Sequence, residues 1–400
     1  MKQPLFNSLG SSYQFSDAVA AIKAFFAPDS TAKTVLTKEL QSLYPDFSVQ
    51  FAYKGRDALT MALQSMGVGV GDVVLTQAFS CFSVEEAIIR CGAIPWYYDI
   101  EPHALAPSSA TLNQSLARYY RAYEQGVAPK VLIAQYSLGS VASAANIQQW
   151  ANRHHVSLLA DLAQALGGEV AGQPLGLEAE AVVFSSGRDK VWDAVNGGVA
   201  LTRQPVDQKQ QPSAIVHFTD LLRDAFYPLL TLLIRKTYSV LVGRMLHRGL
   251  IWLQFFRSPI ETQYANGAQL PDATATVMLS RWQLYPAELK HRRKIAQYYQ
   301  EHLAQISLVT DDDILHGSNL RFPVAVENIA EVLVQLKAAG IHLADRWYRS
   351  AVDVGTVGYR SQYQAGSCPN AEKLATMCLN LPTHRGVTLE QAKHICQILK

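Results

Sequence analysis

The stretch VVFSSGRDKVWDAVNGGVAL, residues 182–201, places Lys190 in a loop between two apolar, β-rich runs. Upstream, VSLLADLAQALGG, residues 156–168, ends another apolar run at Asp161. Burial would lower the pKa of the lysine amine and free it as a nucleophile. An aspartate at the carboxyl end of a strand lies where ligands bind in parallel sheets. On these residues alone, a surface-loop lysine and a turn-capping aspartate remain the simpler alternatives.

Around these stretches, short β-rich runs alternate with helical ones over residues 46–198. This alternation predicts an α/β fold with a mostly parallel central sheet covered by helices. The first thirty or so residues resemble an irregular lead-in. We predict a large domain over residues 1–270 and a smaller α+β domain over residues 271–400, which a long helical segment introduces.

A third feature is the strand–glycine–helix junction Gly55-Arg56-Asp57 in FAYKGRDALTMAL. Amide groups at a helix N-terminus attract phosphate, and glycine lets the ligand approach the backbone closely. Ser185, five residues before Lys190, could add a hydroxyl to the same phosphate. A glycine at such a junction is common, so this feature alone is weak evidence.

The composition narrows the functional classes. The chain has 400 residues, of which 49% are hydrophobic, and 35 basic side chains nearly balance 33 acidic ones. The resulting net charge of +2 gives no electrostatic footprint for nucleic-acid binding. The five cysteines show no C-x-x-C spacing, which favours a reducing compartment and predicts no metal site. The N-terminal sequence lacks the apolar core of a secretory signal.

Residues 213–257 interrupt the alternating pattern with an apolar, basic and helical stretch. Its longest uncharged run, from Ala225 to Ile234, has ten residues, whereas a spanning helix needs about 20. From residue 221 onward it carries six basic side chains against one acid, Asp224. Its apolar stripe would be kinked at Pro228. Two interpretations stay open, namely packing against protein and peripheral contact with an anionic membrane surface.

Together, these segments resemble the DegT/DnrJ/EryC1/StrS family of pyridoxal-phosphate-dependent sugar aminotransferases, which have the fold-type-I transferase fold. LLADLAQALGG is similar to the family's Asp-x-Ala-(Gln/His)-x-x-Gly signature, and FSSGRDK…GG to its Ser-x-x-x-x-Lys…Gly-Gly signature. GRDALTMALQSMGVGVGDVVL is similar to its phosphate-loop segment. The separation of Asp161 from Lys190, 190 − 161 = 29 residues, also suits the family.

The resemblance implies roles for the matching residues. Lys190 would bind the cofactor aldehyde covalently and then move the proton, and Asp161 would pair with the pyridinium nitrogen. An aromatic side chain of QAFSCFS should stack on the ring, although the family alignment puts Cys81 near that position. The further cofactor contacts implied are Gly55, Arg56, Asp57, Gln164, Ser185 and Phe82, with Phe79 as the alternative to Phe82.

The same resemblance implies the reaction. It predicts transfer of an amino group, with glutamate as donor, to a keto-sugar nucleotide in glycan or polysaccharide biosynthesis, by a cytoplasmic homodimer. The sequence departs from the family at Val195-Asn196, where Gly-Glu is common, and the Asn-Tyr-Arg stretch that reaches the partner subunit is not recognisable. Two alternatives therefore stay open: a pyridoxal-phosphate enzyme for a non-sugar or lipid-linked carbonyl, and a non-catalytic membrane-associated homologue. Trp347-Tyr348 and Tyr359 are candidates for the substrate mouth, with core packing equally favoured.

Overall fold

The structure, a computed structural model, describes residues 4–123, 127–256, 266–343, 346–355 and 358–400. Arg257, the last residue of the predicted insertion, lies outside them. The strands are β1 Leu5–Phe6, β2 Ser48–Ala52, β3 Val73–Gln77, β4 Ser80–Cys81, β5 Ile94–Tyr98, β6 Val131–Gln135, β7 Ser157–Asp161, β8 Glu169–Val170, β9 Gln173–Pro174, β10 Ala181–Ser185, β11 Gly198–Thr202, β12 Arg321–Ala325, β13 Ile341–His342, β14 Val352–Asp353 and β15 Cys378–Pro382. The helices are α1 Phe15–Phe26, α2 Ala32–Leu43, α3 Gly55–Ser65, α4 Phe82–Arg90, α5 Ser109–Ala122, α6 Ala144–His154, α7 Phe218–Thr237, α8 Val242–Trp252, α9 Asp272–Leu303, α10 Asp311–His316, α11 Ile329–Ala338, α12 Pro369–Met377 and α13 Leu389–Leu399.

A seven-stranded sheet in the order β2-β11-β10-β7-β6-β3-β5 forms the centre of the fold. From β10 to β5 all neighbours are parallel, and β11 is antiparallel to both β10 and β2. The strands β3, β6 and β11 are buried along their whole length, as expected for a sheet with helices on both faces. The predicted α/β class with a mostly parallel sheet is confirmed.

The strand registers bring polar side chains to one edge of this sheet. Asp161, the last residue of β7, lies opposite Gln135 at the end of β6 and opposite Val183 of β10. Ser185 ends β10 and lies opposite Gly198, the first residue of antiparallel β11. Residues far apart in the chain therefore meet at the carboxyl end of the parallel strands, where ligands bind in such sheets.

A second hydrophobic core forms around the antiparallel pair β12 and β15 and the helices α11 and α13. The 32-residue helix α9 joins the two cores, because Met278 packs in the sheet core and Tyr299 packs in the second core. At the other end of the chain, β1 pairs in parallel with β13. The division of the chain near residue 270 remains a prediction.

The prediction of an irregular lead-in over the first thirty residues is wrong. Residues Phe15–Phe26 of that region form the 12-residue helix α1, and α2 begins soon after it at Ala32. The reason is a stripe of small residues in α1, since Ala18, Ala21 and Ala24 are buried and allow close contact with α7 and α9. Because alanine has the highest helix propensity, the helix needs no strongly apolar stripe to form.

The insertion forms α7 and α8, and α7 continues through Pro228 as one helix. The structure also shows which face of α7 packs against the rest of the protein. Polar anchors decide it: the Asp224 carboxylate accepts from Asn196 Nδ2 at 2.8 Å, and Arg235 donates to the carbonyl oxygen of Tyr13 at 2.8 Å. The apolar stripe that includes Leu229 and Leu230 is only half-buried as a result. Among the described residues, no helix combines the length and the hydropathy that crossing a bilayer requires.

Candidate active site

Asp161 closes β7 as a buried carboxylate. Its Oδ1 accepts a hydrogen bond of 3.0 Å from the backbone N–H of Ala163, which fixes the carboxylate at the start of the following turn. Burial raises its pKa, while the Ala163 N–H and the amine of Lys190 act in the opposite direction. A cation placed beside a buried carboxylate favours its ionised form, so Asp161 is suited to hold a protonated ring nitrogen.

Lys190 lies in the loop between β10 and β11, and its Nζ lies 4.5 Å from the ring centroid of Trp347. Burial lowers the pKa of its amine, against the opposing effects of Cys81 and Asp161. A lower pKa increases the fraction of neutral, nucleophilic amine. The structure therefore brings together the two residues that the sequence analysis singled out first.

Both side chains line one cavity of about 870 Å³ at the carboxyl ends of the strands. The sheet edge forms its floor, and residues from α7, α8 and the segment 333–355 form its walls. Gln135, at the end of β6, also lines the cavity, and its buried acceptor atom Oε1 has no hydrogen-bond partner among the described residues. Buried polar atoms are normally paired, so this acceptor indicates space for a donor from a bound molecule.

Gly55 and Ser185 form one end of the cavity. We call it the phosphate end, because the sequence predicts a phosphate site at these residues. Gly55 begins the eleven-residue helix α3, and a β-carbon there would lie 2.9 Å from Ser185 Oγ. Only glycine allows the helix N-terminus to approach the serine this closely. The Ser185 hydroxyl also accepts from the N–H of Gly187 at 3.3 Å. Backbone amides, a hydroxyl and a helix N-terminus together suit an oxygen-rich anion.

The neighbouring side chains of α3 are engaged elsewhere. Arg56 forms a 2.5 Å ion pair with Glu86, and Asp57 forms one of 2.6 Å with Arg90. The Asp57 backbone N–H donates to the carbonyl oxygen of Lys54 at 3.2 Å. Arg56 lines the cavity and Asp57 does not. The two ion pairs connect the start of α3 to α4, because Glu86 and Arg90 belong to that second helix.

Gln164 is held between two partners at the cavity wall. Its Oε1 accepts from the N–H of Leu138 at 2.6 Å, and its Nε2 donates to the hydroxyl of Tyr348 at 2.7 Å. These bonds fix the side chain beside Asp161, and they draw Tyr348 into the same wall. Trp347 lines the cavity as well, as the candidate mouth at Trp347-Tyr348 predicts.

The two candidate stacking aromatics lie in the hydrophobic core. Phe82 packs against Tyr359, with ring centroids 4.5 Å apart, and Phe79 packs against Tyr348 at 5.3 Å. Neither phenylalanine lines the cavity, whereas Cys81 does. Phe79 has a left-handed backbone conformation (φ 65°) and Phe82 begins α4, so neither ring follows the direction of the Cys81 side chain in β4.

The sequence analysis missed Lys54. Its buried Nζ donates to Asn196 Oδ1 at 3.1 Å, and both residues line the cavity next to Gly55. Burial lowers the pKa of Lys54 to about 7, partly offset by Asp224 of α7. The one available signal was a lysine at the end of an apolar strand, directly before the glycine of a helix junction.

Comparison with known proteins identifies the family. The family model described as DegT/DnrJ/EryC1/StrS aminotransferase family matches residues 51–400, which is most of the chain. The chain belongs to this family. The resemblance noted in the sequence is thereby confirmed, including the segments that carry Gly55, Asp161 and Lys190.

Curated relatives of this member of the DegT/DnrJ/EryC1/StrS aminotransferase family include L-glutamine:2-deoxy-scyllo-inosose aminotransferase of Streptomyces kanamyceticus. The two sequences are 28% identical over 155 residues, which cover 39% of this chain and 34% of that enzyme. The chain spans about a third of the length of the first relatives it matches. UDP-N-acetyl-3-dehydro-alpha-D-glucosamine 3-aminotransferase of Acidithiobacillus ferrooxidans is 23% identical, with 86% of this chain and 82% of that enzyme covered. The fold matches the putative sugar aminotransferase Spr1654 of Streptococcus pneumoniae in its PLP-form, with a TM-score of 0.69 and 18% identity over 97% of this chain and 96% of that one.

Proposed function

We propose that the protein is a pyridoxal-phosphate-dependent aminotransferase that transfers an amino group to a keto-sugar nucleotide. The observation that carries the proposal is the meeting of Asp161 and Lys190 in one cavity, at the carboxyl edge of the sheet. When bound, pyridoxal phosphate supplies an aldehyde that reacts with amines and a ring that withdraws electrons. The residues present fit that group at both of its ends.

The protein's own residues divide the chemical work. Lys190 supplies the amine that holds the aldehyde carbon, and after release it carries a proton to and from the substrate carbon. Its lowered pKa favours the neutral form that both tasks need. Asp161 keeps the ring nitrogen protonated, and the hydrogen bond from Ala163 holds the carboxylate in place.

The opposite end of the cavity would hold the phosphate. Gly55 and Ser185 bring amide and hydroxyl donors together, and the ammonium of Lys54 adds positive charge. A phosphate dianion near Lys54 raises the pKa of that amine, so the ion pair forms at neutral pH. We assign Lys54 the role of a positioning residue for the phosphate group.

The rim of the cavity supports anionic substrates. Arg346, Arg349 and Lys337 line the cavity, and Arg349 also forms a 3.3 Å ion pair with Asp353. Cations at this position suit the carboxylates of glutamate and the diphosphate of a nucleotide-linked sugar. The name of the Acidithiobacillus ferrooxidans relative contains a UDP-linked sugar, which supports this acceptor class, whereas the Streptomyces kanamyceticus relative is named for L-glutamine and 2-deoxy-scyllo-inosose.

The test starts from the pyridoxamine form of the purified protein. Candidate keto-sugar nucleotides are added one at a time, and the loss of pyridoxamine absorbance is recorded together with the mass of the aminated sugar. We expect turnover with one or a few of them, and the return of the pyridoxal spectrum on adding glutamate. A cofactor-loaded protein that converts none of the sugar nucleotides would contradict the acceptor class.

A second candidate acceptor is a lipid-linked or otherwise apolar carbonyl compound. The observation that favours it is the lining contributed by the described part of the insertion, which is largely aromatic and apolar: Tyr227, Tyr238, His247, Ile251 and Phe256. In the acceptor screen, lipid-linked keto-sugars serve as the competing set. The proposal also includes a cytoplasmic homodimer that contacts the membrane peripherally through residues 213–257.

A further inference from the structure

The insertion leaves an exposed apolar face on α8. We infer that this face, formed by Leu241, Met245, Arg248 and Trp252, is a docking surface for an anionic lipid bilayer. Met245, Arg248 and Trp252 follow the spacing i, i+3 and i+7, which places them on one side of α8, and Leu241 directly precedes the helix. The inference does not depend on the reaction proposed above.

The exposure of these side chains is high for their type. Met245 is 71% exposed, Trp252 is 81% exposed and the adjacent Leu253 is 63% exposed. Large apolar side chains grouped on one helix face mark a contact site more often than scattered ones do. Tryptophan and leucine are also typical of the apolar face of interfacial helices.

The opposite face of α8 is already occupied by the protein. A β-carbon at Gly243 would overlap the carbonyl oxygen of Ile234, so glycine lets α8 lie directly on the end of α7. His247, one turn further on, lines the cavity. This attachment fixes the direction of the exposed face, which lies on the side of α8 away from the cavity.

The charge of the insertion favours an anionic bilayer, rather than a second copy of the chain, as the binding partner of this face. Residues 225–256 contain no acidic side chain, and the exposed cations Lys236, Arg244 and Arg248 surround the apolar side chains. A bilayer with anionic headgroups neutralises these cations while its acyl region receives the apolar groups. A two-fold contact between two copies would bring the same cations together, because both copies present the same patch.

The experiment is flotation of the full-length protein with vesicles of phosphatidylcholine alone and of phosphatidylcholine with phosphatidylglycerol. We expect flotation with the anionic vesicles and a loss of flotation at high salt. Arg244→Gln with Arg248→Gln should weaken binding by about fivefold for each charge removed. Met245→Ser with Trp252→Ser should weaken it by at least about tenfold.

Matched controls remove equivalent groups from other surfaces. Lys38→Gln with Lys290→Gln removes two exposed charges, and Val70→Ser removes an exposed apolar side chain in a loop. These variants should float like the wild type, and every variant should keep its cofactor absorbance, which shows that the fold is intact. Absence of flotation with anionic vesicles at low salt overturns the inference. So does conversion of a dimer to a monomer by the α8 variants without any change in flotation, because the face would then be a subunit interface.

Discussion

The side-chain amine of Lys54 donates a 3.1 Å hydrogen bond to Oδ1 of Asn196. The Nδ2 group of Asn196 in turn donates to the buried carboxylate of Asp224 on α7. The insertion is thus connected through hydrogen bonds to the residue that precedes Gly55 at the phosphate end of the cavity. The sequence departs from its family pattern at Asn196, and the structure gives that departure a specific partner.

Replacing Lys54 with methionine tests its role toward phosphate. Lys54→Met should weaken the binding of pyridoxal phosphate about tenfold or more, because a charge-assisted contact is lost. Binding of pyridoxal, which lacks the phosphate, should change little. Absorbance titrations of both compounds measure the difference, with Lys337→Met on the opposite rim as the matched control. An equal loss for both compounds would indicate a structural role instead.

The pKa of Lys54 predicts that the binding of pyridoxal phosphate depends on pH. In the cofactor-free protein the pKa of Lys54 is about 7, and a phosphate dianion raises it. At a pH between these two pKa values, Lys54 takes up a proton when the phosphate binds. The preference for pyridoxal phosphate over pyridoxal should therefore fall as the pH rises above about 7. The steepest fall is about tenfold per pH unit. Titrations from pH 7 to 9 measure it, and the slope should be absent in Lys54→Met.

Lys190→Ala tests the covalent attachment. Borohydride treatment of the wild type should fix the cofactor on the peptide that contains Lys190, as peptide mass spectrometry would show. The variant should lose this adduct and the visible absorbance that accompanies it, because no other amine occupies that position in the loop. Lys54→Met serves as the control that keeps the adduct. An unchanged visible spectrum in Lys190→Ala would refute the assignment.

Asp161→Asn keeps the size of the side chain and removes its charge. We expect kcat to fall at least about a hundredfold, since a neutral amide cannot stabilise the protonated ring nitrogen. Cofactor binding should persist, because the phosphate end and Lys190 remain intact. Stopped-flow measurement of the half-reaction with glutamate separates the two effects. Turnover at the wild-type rate would mean that Asp161 does not contact the ring nitrogen.

Gly198 offers a test of packing at the phosphate end. A β-carbon there would lie 2.5 Å from the carbonyl oxygen of Lys54, and backbone atoms cannot move aside as a flexible side chain does. Gly198→Ala should lower the free energy of unfolding by about 1–3 kcal/mol. Gly69→Ala, where no atom lies within 4 Å, should leave it unchanged or raise it by up to about 1 kcal/mol. Urea unfolding of the cofactor-free proteins compares the two.

Much of the fold and the centre of the site could be predicted from the sequence. Asp161 and Ser185 end apolar runs that proved to be β7 and β10, and parallel strands bring such ends to one edge. Gly55 marked the start of α3 because a strand and a helix pattern meet at that residue. These features depend on local patterns, which a single sequence records directly.

Other features depend on contacts between distant segments. Lys54 acquires its environment from Asn196 and Asp224, which lie far away in the chain, so its position before Gly55 was the one local signal for it. The sequence shows an apolar stripe in α7, but it does not show that the ion pair of Asp224 and the hydrogen bond of Arg235 hold the buried side of this helix. Phe82 was chosen for its aromatic ring, but it begins α4 and packs in the core against Tyr359, a contact between distant segments.

The pairing of β1 with β13 has a consequence for biosynthesis. Leu5 and Phe6 pair with Ile341 and His342, and 341 − 5 = 336 positions of the chain separate Leu5 from Ile341. Phe6 also stacks on His342, with ring centroids 4.7 Å apart. During synthesis, β1 therefore cannot pair until the ribosome has also made β13, and contacts of such long sequence separation slow folding.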